Sequence, residues 1–157
     1  MAPLQLTRAP GDRRLFELQG VGTLRMTGLL GRTSATAAAG ERGWQLTWRG
    51  FLRPVVRAID TAGAVVGEYE VRKLQRGGTL RWADRELELR SHSVSTERYL
   101  LVDGGRELAT IDGRSRGESP LTITMGEPDE IVPGRLLFVA FLVRALAQDK
   151  DASLTTG

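Results

Sequence analysis

The chain has 157 residues, no cysteine, one histidine and a formal net charge of +3. A chain of this length is expected to form one domain with a sizeable core. Without cysteine there are no disulfides and no thiolate metal sites, and the polar N-terminal segment does not have the layout of a signal peptide. We therefore expect a cytoplasmic protein, with peripheral attachment to a membrane as the second possibility.

Positive charge is concentrated in the first third of the chain. Residues 1–58 contain nine arginines, no lysine and three acids, whereas residues 59–157 contain eleven arginines, two lysines and sixteen acids. Such asymmetry is typical of a surface that meets an anionic partner. The alternative is a solvated basic stretch that acids elsewhere balance.

The predicted elements begin with a flexible N-terminal arm over residues 1–14, which contain two prolines and a glycine. A single domain over residues 15–150 follows. Its segments alternate apolar and polar residues with a period of two, as antiparallel strands with one buried face do. The clearest are "WQLTWRG", "VVGEYEVR", "RELELR" and "PLTITM".

Glycine and aspartate separate these strands. "IDTAGAVV" and "LVDGGREL" each place a turn between two apolar runs, and "RGGTLRW" suggests a third glycine turn. The spacing gives eleven or twelve strands, which favours a sandwich or a barrel.

The last predicted element is a hydrophobic helix over about residues 134–147, followed by a tail over residues 151–157. Apolar residues cover its whole circumference, so it must be buried on all sides. Its apolar span is about 18 Å long, which is too short for a bilayer core of about 30 Å. A closed sheet can surround such a helix. We therefore predict a mainly β fold: a closed antiparallel barrel of about twelve strands, filled by a plug of Leu136, Leu137, Phe138, Val139, Phe141, Leu142 and Val143.

This layout resembles the tubby C-terminal-like superfamily, which includes LURP-one-related proteins and phospholipid scramblases. The resemblance rests on the two "strand, Asp, Gly, strand" units at 59–66 and 101–108, on the short alternating strands and on the final "RLLFVAFLVRAL". It implies a twelve-stranded barrel around a C-terminal helix and a role at membranes, because tubby domains bind phosphoinositides through basic side chains. The palmitoylated cysteines and the proline-rich N-terminal region of scramblases have no counterpart here.

Candidate binding residues for an anionic head group are arginines and one lysine. Even spacing on extended chain puts Arg49, Arg53 and Arg57 on one face. The full predicted set adds residues before them and on a neighbouring strand, namely Arg42, Arg72 and Lys73. Guanidinium groups in such a set match phosphate oxygens. The alternative is a solvated outer face whose arginines pair with Glu68 and Glu70.

Catalytic and metal-binding patterns find little support. His92 lies in the polar stretch "RSHSVSTER", with Asp84 and Glu97 as the nearest carboxylates in sequence, and we expect it to be solvated. Asp129 and Glu130 precede the predicted helix, where negative charge stabilises the helix dipole, and they lack EF-hand spacing. We expect no cofactor, no resident metal and no enzymatic activity.

The sequence therefore predicts a non-enzymatic binding module that associates with an anionic phospholipid surface. The alternatives are a protein-interaction scaffold and a nucleic-acid-binding barrel. Nucleic acid is the less favoured partner, since strand phasing places Trp44, Leu46 and Trp48 together on the inner face.

Overall fold

A computed structural model describes residues 3–27, 34–49, 54–72, 77–92, 98–113, 121–126 and 131–156, with the backbone alone at residues 71–72, 77 and 146–156. These residues form twelve strands and one helix. In chain order they are β1 Leu4–Arg8, β2 Leu15–Leu18, β3 Gly22–Met26, β4 Ser34–Ala39, β5 Arg42–Arg49, β6 Val55–Asp60, β7 Val65–Arg72, β8 Gly77–Trp82, β9 Arg85–Ser91, β10 Arg98–Asp103, β11 Arg106–Asp112, β12 Leu121–Met125 and α1 Pro133–Thr156.

The strands form a closed antiparallel barrel in which each strand pairs with its neighbours in sequence, as predicted. The first strand closes the circle, since β1 pairs with β2 on one side and with β12 on the other. The predicted flexible arm over residues 1–14 is therefore wrong for Leu4–Arg8. This segment alternates like the other strands, and its Leu6 side chain is fully buried.

Side-chain alternation sorts residues between the core and the solvent, as the period of two predicted. In β5, Trp44 and Leu46 are buried, while Trp48 is partly buried against the same core. In β12, Leu121 and Ile123 are fully buried. The barrel interior is consequently apolar apart from Arg135 near the start of α1, which is 2 % exposed, and the other charged side chains that the structure describes lie on the wall or at the ends.

The helix α1 lies inside the barrel and confirms the predicted plug. Every residue from Leu136 to Val143 is 0 % exposed, including Phe138 and Phe141. The helix begins at Pro133, whose fixed φ and missing N–H suit a first turn. It extends to Thr156, so most of the predicted tail over residues 151–157 continues the helix instead.

The helix packs closest against β3, β4 and β5. Small residues line this side of the wall: Ala35 and Ala37 are buried, and a Cβ atom added at Gly22 would lie 2.9 Å from Cδ1 of Leu137. Large side chains such as Tyr69 and Leu101 fill the rest of the interior. The helix is therefore seated against the Ala- and Gly-rich part of the sheet.

The barrel has two different ends. The short links β2–β3, β4–β5, β6–β7, β8–β9 and β10–β11 share one end, here called the turn end, because consecutive strands are antiparallel. The β1–β2 link over residues 9–14 lies at the other, called the exit end. The helix begins at the turn end, where Gly134 contacts Trp44 and Trp82, and reaches the exit end at Arg144, which lies over the Phe16 ring.

An aromatic cluster surrounds the start of the helix. The ring centroids of Trp82 and Trp44 are 6.0 Å apart in an edge-on arrangement, and those of Trp82 and Phe138 are 5.7 Å apart. A Cβ atom at Gly134 would lie 2.6 Å from Cζ2 of Trp82 and 2.7 Å from Cζ2 of Trp44. Glycine at this position therefore lets the helix backbone pass between two tryptophan rings.

Both predicted Asp-Gly hairpins are present, and each contains a β-bulge. In the β6–β7 hairpin, Oδ1 of Asp60 accepts the backbone N–H groups of Ala62 and Ala64 at 3.0 and 2.9 Å. The pairing register shifts next to Ala58, and Val65 is consequently 53 % exposed. Uninterrupted alternation in "VVGEYEVR" predicts that Val65 shares the buried face of Tyr69, and this is wrong because a bulge reverses the alternation.

The predicted turn in "RGGTLRW" is also wrong. Gly77 and Gly78 belong to β8 and pair with Arg72 and Val71 of β7. A side chain at Gly78 would overlap the carbonyl oxygen of Glu70. The glycine therefore allows two strands to approach closely instead of forming a turn.

We predict that Gly134→Ala destabilises the protein although alanine is the better helix former. The intrinsic gain is about 1 kcal/mol, whereas overpacking a filled core costs about 1–3 kcal/mol. Chemical denaturation would show a lower free energy of unfolding. Gly43→Ala is the matched control, since its Cβ would meet nothing closer than 3.6 Å. Equal stability of Gly134→Ala and the native chain would contradict the proposed steric role of the tryptophans.

Candidate anion-binding site

The predicted basic set is not brought together as one surface. Arg42 and Arg49 are the first and last residues of β5, so they lie at opposite ends of the barrel. Arg42 has the parity of the inward-facing Trp44, and its guanidinium carbon lies 5.5 Å from the centroid of that ring. Arg49 is exposed at the exit end. The strand is eight residues long and rises about 3.3 Å per residue, which separates the two arginines.

Arg57 is the member of the set that lies near Arg49. The register pairs Arg49 with Val55 and Thr47 with Arg57, so the two arginines are diagonal neighbours on the outer face of β5 and β6. Arg57 faces outward from β6, where its Nε atom is 3.3 Å from Oε2 of Glu68. Arg72 ends β7 opposite Gly77, and its side chain lies outside the description. Arg53 and Lys73 fall outside the described residues.

Arginines on the outer wall pair with acids across neighbouring strands. Arg57 and Glu68 are direct register partners, and so are Arg81 and Glu86, whose Nη2 and Oε2 atoms are 3.7 Å apart. For Arg57 this agrees with the alternative of a solvated outer face paired with Glu68. Exposed pairs of this kind contribute about 0–1 kcal/mol each, so their main effect here is to neutralise the wall.

Unpaired arginines are concentrated at the exit end. Among the described side chains, the arginines without a carboxylate partner are Arg8, Arg13, Arg14, Arg42, Arg49 and Arg144. All of these except Arg42 lie at the exit end. Two acids at the same end, Asp12 and Asp112, each have an arginine partner already. Counted over the described side chains, the exit end therefore carries excess positive charge, with Glu70 as an exposed acid on the nearby wall.

The Phe16 ring brings two of these arginines together. Arg8 ends β1 directly opposite Phe16 of β2, and its guanidinium carbon lies 5.5 Å from the ring centroid. The guanidinium carbon of Arg144 on α1 lies 4.8 Å from the same centroid. Both distances are within the range of a cation–π contact. Phe16 is 2 % exposed, so the ring forms the floor of this arrangement.

The positive charge of Arg144 lies in an unfavourable environment. Burial lowers the pKa of its guanidinium group, and the positive charge of Arg8 lowers it further. Its Nε atom is buried and has no hydrogen-bond acceptor. A buried donor without an acceptor costs free energy, and a cation–π contact offers no lone pair to fill that role.

The Asp12 carboxylate holds the link that carries Arg13 and Arg14. Its Oδ1 atom accepts the backbone N–H of Arg14 at 3.0 Å, and its Oδ2 atom accepts Nη1 of Arg25 at 2.8 Å. These two hydrogen bonds, in that order, lower the pKa of Asp12. Because both oxygens are engaged, Asp12 orders the link and does not pair with Arg8 or Arg144.

The sequence signals for these residues were weak. Arg8, Arg13 and Arg14 fell within the predicted flexible arm, and Arg144 was only an interruption of an apolar run. That interruption is the one signal that pointed to the site, because a charge in a helix that is otherwise buried calls for a specific environment.

Of the candidate catalytic residues, the structure describes His92 and Asp84, and these two lie at opposite ends of the barrel. His92 is exposed at the exit end of β9, where its backbone N–H donates to the carbonyl of Arg98 at 2.8 Å. Asp84 lies in the β8–β9 turn at the opposite end. Glu97, Asp129 and Glu130 lie outside the described residues, and the residues within the description contain no group of three or more potential metal ligands.

Comparisons with known proteins identify no relative of this chain. The chain matches no protein-family model, no curated protein and no solved structure. Within the described ranges, no helix combines the length and apolar character that crossing a bilayer requires.

We predict that Asp12→Asn lowers stability at pH 7 and that the loss disappears in acid. The folded-state pKa of Asp12 is lowered below its ordinary value of 3.8, so its contribution is present above that pH. It is lost as the pH falls through the folded-state pKa. Urea unfolding midpoints of the variant and the native chain should therefore converge as the pH falls below 3.8 and through the folded-state pKa.

Arg25→Gln serves as the companion variant in this test. It removes one of the two main causes of the pKa shift, so the double variant should lose less than the sum of the single losses. A difference between Asp12→Asn and the native chain that persists unchanged into acid would contradict the assignment.

Proposed function

We propose that this chain is a non-enzymatic binding module that docks onto anionic phospholipid surfaces through its exit end. The observation that carries the proposal is the segregation of charge: wall arginines pair with acids, while Arg8, Arg13, Arg14, Arg49 and Arg144 at the exit end have no carboxylate partner among the described residues. An excess of positive charge at one end of a barrel suits a flat, negatively charged partner.

The expected strength of binding follows from the electrostatics of an anionic membrane. Each arginine close to an anionic bilayer contributes about 1 kcal/mol, and the contribution decays over a Debye length of about 8 Å at physiological salt. Arg13 and Arg14 are exposed in the β1–β2 link, so they are placed to approach head groups directly. Binding by this means is peripheral and depends on salt.

The architecture supports the same proposal from another side. We propose that the chain is a member of the tubby C-terminal-like superfamily, since a twelve-stranded barrel around a hydrophobic helix is the fold that this resemblance implies. The resemblance also implies a role at membranes. Fold alone does not decide function, so the charge distribution remains the main support.

The alternative partners have less support from the described residues. Nucleic-acid binding without sequence preference uses exposed aromatic rings, but Trp44, Trp82 and Tyr99 are at most 9 % exposed. A protein-interaction scaffold would favour an exposed apolar patch. Val65 is the single large apolar side chain that is exposed within the described part of the chain.

The test is sedimentation of the full chain with vesicles containing phosphatidylserine at 0.15 M salt. We expect the Arg13→Gln/Arg14→Gln variant to bind roughly 30-fold more weakly, because two arginines contribute about 2 kcal/mol. Arg42→Gln/Arg81→Gln is the matched control, since it removes the same charge from the turn end and should bind like the native chain.

Three results would count against this function. The first is that the native chain remains in the supernatant with every anionic vesicle tested. The second is that the control variant loses as much binding as the exit-end variant, which would show a net-charge effect without a defined surface. A single-stranded oligonucleotide that binds and displaces the vesicles would favour the nucleic-acid alternative.

A further inference from the structure

We propose that Arg8, Phe16 and Arg144 form a seat for one doubly charged tetrahedral oxoanion, that is, for a phosphate group. The proposal rests on the exit end being the binding surface, and it names the chemical group that this surface recognises. The seat lies where the first strand and the final helix meet at the mouth of the barrel.

The placement of the two guanidinium groups is the first argument. Their carbon atoms lie 5.5 and 4.8 Å from the centroid of one ring, so both positive charges stand at the same mouth. The positive charge of Arg8 repels that of Arg144 and adds to the lowering of its pKa by burial, so an anion bound to both groups would relieve the repulsion. Phe16 fixes their positions by contact with both.

Unused donors are the second argument. Neither arginine has an ion pair or hydrogen-bond acceptor in the described part of the chain, and the Nε atom of Arg144 is buried without an acceptor. Each guanidinium carries five N–H donors in a planar fork that fits two oxygens of one phosphate. A tetrahedral group has enough oxygens to serve both forks, whereas a planar carboxylate has only two.

The third argument is that no carboxylate among the described side chains pairs with either arginine. Asp12 is the carboxylate closest in sequence to Arg8, and both of its oxygens already accept hydrogen bonds from Arg14 and Arg25. Within the described part of the chain, the seat is therefore positively charged without a counter-ion. Two sources supply the same chemical group, free phosphate and the monoester head group of phosphatidic acid.

The test is thermal unfolding of the full chain in phosphate and in chloride at equal ionic strength and pH. Ligand that binds only the folded state raises the melting temperature in a saturable way, by about 3–6 °C at ten times Kd for a chain of this size. We expect this shift in the native chain and in Arg42→Gln. Arg42 is the matched control because it also lies over an aromatic ring, Trp44, but has no second arginine there.

Arg144→Met should produce two opposite effects. It removes the phosphate-induced shift, and it raises the melting temperature in chloride because a half-buried, unsatisfied charge is replaced by an apolar side chain. Arg8→Gln should also remove the shift. Because the Arg8 side chain is exposed, this substitution should not prevent folding. A native shift that persists undiminished in both variants would reveal only the general effect of an excluded salt and would overturn the proposal, as would no shift at all.

Vesicles distinguish the source of the phosphate and separate this proposal from the previous one. Stronger sedimentation with phosphatidic acid than with phosphatidylserine, lost in Arg144→Met, identifies the head group. A phosphate shift without any sedimentation supports free phosphate and overturns membrane docking. Sedimentation without any phosphate shift leaves docking standing and overturns the seat.

Discussion

The structure depends on one constraint: a helix that is apolar on every side must be enclosed on every side. Residues Leu136 to Val143 are fully buried, and the closed sheet is the surface that buries them. The enclosure in turn dictates side-chain size around the wall. Where the helix packs closest, the wall has Ala35, Ala37 and Gly22, and elsewhere large side chains fill the gap. Packing at native density requires this matching of small and large residues.

The same constraint makes the two barrel ends different. At the turn end, Trp44, Trp82 and Phe138 close around Gly134, so that end is sealed by aromatic packing. At the exit end the helix leaves the barrel. The surroundings of its last enclosed turns change there from apolar side chains to solvent. Arg144 stands at this transition with Phe16 beneath it. Charge can accumulate there because the mouth is the one part of the helix path that the sheet does not cover completely.

The architecture can be predicted from the sequence because each strand and the helix have a local pattern of apolar residues. Alternation in segments such as β5 and β12 predicts strands, and the run from 136 to 143 predicts a buried helix. Bulges were not predictable, since the displacement at Val65 depends on pairing with β6. Neither was the strand character of Leu4–Arg8, which is short, lies next to turn-forming residues and gains its partner β12 only when the barrel closes. The Ala-rich segment of β4 looked weak as a strand for a reason the structure supplies: it lies against the helix.

The candidate site escaped prediction for a related reason. Even spacing predicts that Arg49, Arg53 and Arg57 share a face, and Arg49 and Arg57 do lie diagonally across β5 and β6, but Glu68 pairs with Arg57 and neutralises its charge. Arg42 of the same predicted set lies at the opposite end of β5 from Arg49. The site that emerges instead joins the two extremes of the fold, β1 and α1. No local pattern can show that Arg8 and Arg144 meet, because their proximity follows from ring closure.

Arg144 gives the strongest reason to regard this end as functional. A helix that served only to fill the barrel would be better with an apolar residue at this position, as at Val143 and Ala145, which are buried. Burial lowers the pKa of the Arg144 guanidinium, and Arg8 adds repulsion. The Phe16 ring offsets part of this cost through its negative face, but it accepts no conventional hydrogen bond from Nε. A bound anion would remove the free-energy cost that remains. Such an anion would also hold the first strand to the last helix, so binding and barrel closure would stabilise each other.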